Sequence, residues 1–126
     1  MNREELEDYI RGNMGAEGDC PFEGDFVSKV FRHASNRKWF ALAMRVPKRY
    51  IGLEGDEEID VLNVKVGPIL ASELRTEPGI FPAYHMNKNH WLTLALDGSA
   101  DDEKIKWLLD VSYDLTKPKQ KKTKNV

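Results

Sequence analysis

Three stretches of this chain alternate apolar and polar residues with a period of two. Lys38 to Val46 sets Phe40, Leu42, Met44 and Val46 against Trp39, Ala41, Ala43 and Arg45. Asp60 to Val66 sets Leu62, Val64 and Val66 against Val61, Asn63 and Lys65, and His90 to Leu96 sets Leu92, Leu94 and Leu96 against Trp91, Thr93 and Ala95. Successive side chains of a strand point to opposite faces, so each stretch predicts a strand with one buried face. Parallel sheets bury both faces, so the one-sided pattern predicts an antiparallel sheet.

The segments between these strands supply the cover. Asn2 with Glu5 is a capping signal for a helix over about 2–14, with Leu6, Tyr9, Ile10 and Met14 on its apolar stripe. Gly67-Pro68 starts a second helix, with Ile69, Leu70 and Leu74 buried and Pro78-Gly79 as its stop. Ser99 with Asp102 reads as a capping box for a third helix over about 100–114, built on Ile105, Leu108, Leu109 and Ser112. Val27 to His33 forms a strand that turns at Ala34-Ser35-Asn36-Arg37 into Lys38 to Val46, giving a hairpin with His33, Asn36, Arg37 and Lys38 at its tip. Residues 15–25 are a Gly- and acid-rich loop with Phe22 as a plug in the core. Tyr50 to Leu53 reads as a short strand or extended edge, and Pro78 to Trp91 as a bend entering the last strand. The expected order is α-β-β-β(β)-α-β-α. The expected class is α+β, an antiparallel sheet with helices packed on one face.

Composition bounds the function. A chain of 126 residues is one domain, expected over residues 1–116 with a basic, disordered tail over 117–126. That tail holds Lys117, Lys119, Lys121, Lys122 and Lys124 and no acid. The remainder carries 14 basic against 21 acidic side chains, a net −7. An acidic body confines any nucleic-acid contact to a local patch. The single Cys20 forms no internal disulfide, which suits a reducing cytoplasm. The charged N-terminal residues and the lack of a long apolar run give no signal peptide and no membrane span. A monomer is expected.

No catalytic signature is present: there is no G-x-S-x-G, H-E-x-x-H, phosphate-binding glycine loop or Cys-x-x-Cys. No enzyme activity and no cofactor are expected. If Phe40, Leu62 and Leu92 face the helices, then Trp39, Arg45, Asn63, Lys65, Trp91 and Thr93 face away. Indole rings offer stacking area and the cations offer phosphate contacts. The same residues also serve as cross-strand pairs that stabilise the sheet. His85 and His90 stand five apart around Lys88, too few ligands for a metal centre. Glu4, Glu5, Glu7 and Asp8 open the first helix, where acids favour the helix dipole.

The segment P-G-I-F-P-A-Y-H-M-N-K-N-H-W at 78–91 is followed by L-D-G-S and a helix ending in S-Y-D-L. With N-V-K-V at 63–66 and G-D-C-P-F in the early loop, it resembles the MmcQ/YjbR family of small bacterial proteins, up to about Leu115. The resemblance implies a CyaY-like (frataxin-like) α+β fold, a "double wing" DNA-binding role and no agreed enzyme activity. It places contacts on Lys65, Asn87, Lys88, His90 and Trp91.

The leading expectation is a non-enzymatic module that contacts DNA through Arg37, Lys38, Arg45, Lys65, Asn87, Lys88, His90 and Trp91. The alternatives are a protein- or small-ligand-binding module using the same tryptophan-bearing face, or a frataxin-like metal handler using the acidic first helix.

Overall fold

A computed structural model describes residues 1–119. The chain runs α1 (Arg3–Met14), β1 (Lys29–Arg32), β2 (Trp39–Pro47), a 3-10 turn (Lys48–Ile51), β3 (Glu58–Lys65), α2 (Pro68–Leu74), β4 (Ile80–Pro82), β5 (Trp91–Ala95) and α3 (Asp102–Thr116). The five strands form one sheet in the order β1-β2-β3-β5-β4, every pairing antiparallel. This is the expected α+β class, with the fifth strand elsewhere than at its bracketed place in the expected order. β4 lies inside the segment read as a bend. The expected strand or edge at Tyr50 is the 3-10 turn, which closes at Gly52.

The helices cover one face. Leu6 and Ile10 of α1, Ala71 and Leu74 of α2, and Ile105, Leu108 and Leu109 of α3 pack on Phe31, Leu62, Val64, Leu92 and Leu94. Each fully buried Val, Leu, Ile or Phe among them contributes about 1.5–3 kcal/mol. The Asn2–Glu5 capping box is present in both directions, at 2.8 and 2.9 Å. The one expected at Ser99 is not: Ser99 bonds back to Asp97, and Asp101 stands at the start of α3 without a side-chain cap. The first turn of α3 is met instead by the N-terminal ammonium, 2.5 Å from Asp102. Behind β4, Gly79 has φ +75°, and a Cβ there would come within 2.4 Å of the Ala100 nitrogen. Only glycine fits that approach.

One irregularity re-aims half of β2. Phe31 pairs with Ala41 but Arg32 pairs with Trp39, so Phe40 is an extra residue in β2. A bulge of this kind puts two neighbours on one side. Phe40 and Ala41 both enter the helix-side core, and alternation restarts one residue late. Leu42, Met44 and Val46 therefore face away from the helices, into a second cluster with Val30, Ile59, Val61 and Ala95. Ser112 of α3 services the bulge: its hydroxyl donates to the Phe40 carbonyl at 2.6 Å and accepts from the Lys65 N–H at 2.9 Å. The sequence period assigned Leu42, Met44 and Val46 to the wrong face because it assumed an unbroken strand.

The hairpin tip is docked as well. His33 Nε2 lies 3.0 Å from the Tyr113 carbonyl and 2.9 Å from Thr116 Oγ1, and Asn36 donates to the Thr116 carbonyl at 3.0 Å. No helix among the described residues is long and apolar enough to cross a membrane. The expectation of a disordered tail falls, from residue 120 on, outside the described residues.

Candidate functional site

The face of the sheet turned away from the helices is neither open nor fully covered. Residues 83–88, between β4 and β5, fold across it. A polar clamp holds them down. Thr93 Oγ1 accepts from the Tyr84 N–H at 2.9 Å and donates to Asn63 Oδ1 at 2.5 Å. Asn63 Nδ2 donates to the Tyr84 carbonyl at 2.8 Å. Asn63 and Thr93 are fully buried. Buried polar groups must find partners, and these two find each other and the crossing segment. Their exposure on a bare sheet face, as the alternation implied, is thereby corrected.

The crossing segment separates two hollows. One, of about 310 Å³, lies over β1 and β2 between Phe22, Asp25, Ser28, Trp39, Leu42, Met44, His85 and Met86. The other, of about 290 Å³, is lined by Tyr50, Ile51, Gly52, Pro82, Ala83, Tyr84 and Lys88. His85 sits at the divide with φ +62°. A left-handed backbone in a residue other than glycine costs about 1–3 kcal/mol and persists where the surroundings enforce it, often at functional sites. The His85 ring rests on Tyr84 with centroids 3.9 Å apart. Tyr84 faces Tyr50 at 5.6 Å, and the Arg49 guanidinium lies 4.7 Å over Tyr50. The result is a ladder of rings crossing the face, with Tyr50 45 % exposed at its end. Burial, then the nearby Tyr50, pushes the Tyr84 hydroxyl pKa up.

Phe22 is not a plug in the core. It is 40 % exposed and packs edge-on against Trp39 at 6.0 Å. Arg32 covers Trp39 at 5.5 Å and is held by Asp19, Nε to Oδ1 and Nη2 to Oδ2 both at 3.1 Å.

The eight residues singled out in the sequence separate. Lys65 ends β3 and pairs directly with Trp91 at the start of β5, both on the far face. Trp39 begins β2 at the same end of the sheet, with Lys38 exposed just before it. Lys88 joins the Tyr50–Tyr84 hollow. Asn87 builds the turn into β5: its carbonyl accepts from the N–H groups of His90 and Trp91, and its Oδ1 from Asn89. The His90 carbonyl accepts from Val66 and Gly67, fixing the entry to α2. Arg37, also at positive φ (62°), lines a different groove with Met14, Glu17, Arg32 and Tyr113. Arg45 is a correction. The bulge turns it to the helix side at the opposite end of the sheet, where Asp60 binds it at 3.0 Å.

Most described cations are neutralised in this way, by Glu7, Asp8, Asp19, Asp56, Glu57, Asp60, Glu77, Glu103 or Asp114. Among the described residues, Arg37, Lys38, Lys65, Arg75, Lys88 and Lys119 have no carboxylate within 4.0 Å. Three of the four acids of α1 have local partners: Glu5 closes the capping box, Glu7 binds Arg3 and Lys29, and Asp8 binds Arg11. Among the described residues no three His, Cys, Asp or Glu side chains gather as a metal site. Tyr50, Tyr84, Asp25 and Met86 carry no periodic signal. The A-Y-H-M run preceded by Pro78 and Pro82 was the one hint that this stretch is held in a special shape.

The YjbR family pattern matches residues 13–115. YyaQ of Bacillus subtilis (strain 168), described as an uncharacterized protein, is 36 % identical over 117 residues, spanning 93 % of this chain and 99 % of YyaQ. The Escherichia coli (strain K12) protein YjbR, described in the same words, is 41 % identical over 58 residues, 45 % of this chain and 49 % of that one. A crystal structure of a Pseudomonas syringae protein superposes with a TM-score of 0.91 at 44 % identity, covering 93 % of this chain and all of that one. A Deinococcus radiodurans protein superposes with a TM-score of 0.67 at 28 % identity, covering 90 % of this chain and 77 % of that one. The pattern's reach and the near full-length match to YyaQ establish that this chain belongs to the YjbR family.

Proposed function

We propose that this protein is a non-enzymatic binding module whose far face contacts nucleic acid, with single strands favoured over duplex. One observation carries the reading: Lys65 and Lys88 are free of acids while most other described cations are paired, and both stand beside rings, Trp91 and the Tyr50–Tyr84 ladder. Free lysines suit phosphates, and partly exposed rings suit unstacked bases. The three described helices pack on the opposite face of the sheet, so on this reading contacts to phosphate dominate and base reading is slight. Lys38 at the start of β2 extends the same end of the sheet.

The acidic body sets the strength. With three or four phosphates neutralised, the logarithm of affinity falls with the logarithm of salt with a slope of about −2 to −3 for a single strand. The test is fluorescence anisotropy with labelled single- and double-stranded DNA at low and physiological salt. It compares the full chain, a chain ending at Thr116, and the full chain carrying Lys65→Glu with Lys88→Glu. The expected result is salt-sensitive binding that survives removal of the tail and is lost on charge reversal. Binding that disappears with the tail reduces the effect to a generic lysine run. Affinity unchanged by the double reversal refutes the site, and no binding by any form shifts the far face to a protein partner.

A further inference from the structure

The hollow over β1 and β2 has a chemistry opposite to that of its neighbour. Its walls are Phe22, Trp39, Leu42, Met44 and Met86, and its volume of about 310 Å³ is at the low end for small-molecule sites. Such sites are apolar with a few polar groups that orient the ligand. Here the polar groups are Asp25, Ser28 and His85.

Asp25 is fixed and charged. Its Oδ1 accepts from the N–H groups of Val27 and Ser28, both at 2.9 Å, leaving Oδ2 outside these two bonds. Those bonds to Ser28 and Val27 hold its carboxyl below the usual carboxylate range. Basic side chains of the neighbouring segments are paired with other acids, Arg3 and Lys29 with Glu7 and Arg32 with Asp19, and the Arg3 charge acts on Asp25 only as a minor cause of its lowered pKa. Arg3 also donates to the Val27 carbonyl, which pins the loop that presents Asp25. Among the described residues no cation lies within 4.0 Å of this carboxylate. Trp39 and Phe22, which also line the hollow, meet edge to face at 80°, and the two thioethers that share its lining are polarizable and adaptable.

We propose that this hollow binds a small planar molecule bearing an ammonium cation, its ring against Trp39 and the methionines and its charge at Asp25. The carboxylate and the rings both attract a cation. An anion faces the charge of Asp25, so this hollow is not an extension of the phosphate-contacting surface at Lys65 and Lys88.

The chain carries four methionines, Met1, Met14, Met44 and Met86, of which only the last two line the hollow. The test titrates the full chain, carrying carbon-13 methionine methyls, with tryptamine and separately with indole-3-acetate, which has a similar ring system and the opposite charge. Tryptamine should shift Met44 and Met86 saturably and leave Met1 and Met14 in place. It should bind about fivefold tighter than the acetate, the size expected when a partly exposed attraction stands in place of a repulsion. Asp25→Asn, which keeps the accepting oxygen, should abolish that preference. Lys65→Glu with Lys88→Glu should leave it intact, which separates this site from the nucleic-acid surface. Unmoved Met44 and Met86 signals, equal affinity for amine and acid, or a preference that survives Asp25→Asn would each overturn the proposal.

Discussion

The two faces of the sheet are built from similar residues to different ends. The helix side is a continuous apolar core in which three helices seal Phe31, Phe40, Leu62, Val64, Leu92 and Leu94. The far side has a smaller cluster, a buried Asn63–Thr93 pair, and a crossing segment that leaves two hollows. Packing without gaps specifies a fold, whereas packing around a clamped loop leaves room for a ligand. The proposed binding surface thus lies on the less completely packed face, which still buries Val30, Val61 and Ala95.

The largest test of that contrast compares two leucines in neighbouring strands. Leu62→Ala, on the sealed side, should cost about 3–5 kcal/mol, because removal of a fully buried leucine leaves a cavity. Leu42→Ala, which borders a hollow, should cost about half as much, and chemical denaturation measures both. Equal costs would mean that the far side is as tightly packed as the helix side. Next in size is Asn63→Leu. It leaves the Tyr84 carbonyl and Thr93 hydroxyl short of a partner, for about 1–3 kcal/mol, and should speed amide exchange through residues 83–88.

A smaller effect belongs to His33. Burial holds its pKa below the ordinary imidazole value, against the Tyr113 carbonyl, which favours the charged form, while Lys117 adds to the lowering. The unfolded chain therefore takes up this proton first as pH falls. Stability should be full above the ordinary imidazole value, decline as pH drops toward the folded pKa, and contribute no further slope below it. Urea midpoints at about pH 7.5 and pH 5.5 should differ in that direction, with the difference removed in His33→Asn. The smallest effect is Arg45→Ala. Its solvent-screened ion pair with Asp60 should contribute little to stability, and DNA affinity should not fall.

Most of the fold was legible in the residues. Alternation located β2, β3 and β5, the Asn2 box marked α1, and Gly67-Pro68 marked α2. β4 was hidden because three residues ending in Pro82 give no period, although an edge strand tolerates a proline. The bulge at Phe40 was hidden for a different reason. An inserted residue keeps the local alternation and shifts its phase, and only the partner strand reveals it. That shift moved Arg45 off the candidate surface and brought Leu42 and Met44 onto it. Of the site, the Lys65–Trp91 pair followed from strand parity. The Tyr50–Tyr84–His85 ladder and Asp25 did not, because they stand on irregular segments: the Asn63–Thr93 clamp holds Tyr84, and Arg3 pins the loop that presents Asp25.

Amide shift mapping of the full chain with a short single-stranded oligonucleotide tests the division between the faces most directly. Shifts are expected at Lys38, Trp39, Lys65, Tyr84 and Lys88 to Trp91, with α1 and the helix-side core unmoved. Shifts confined to the lysines after Thr116, or centred on the helices, would contradict that division.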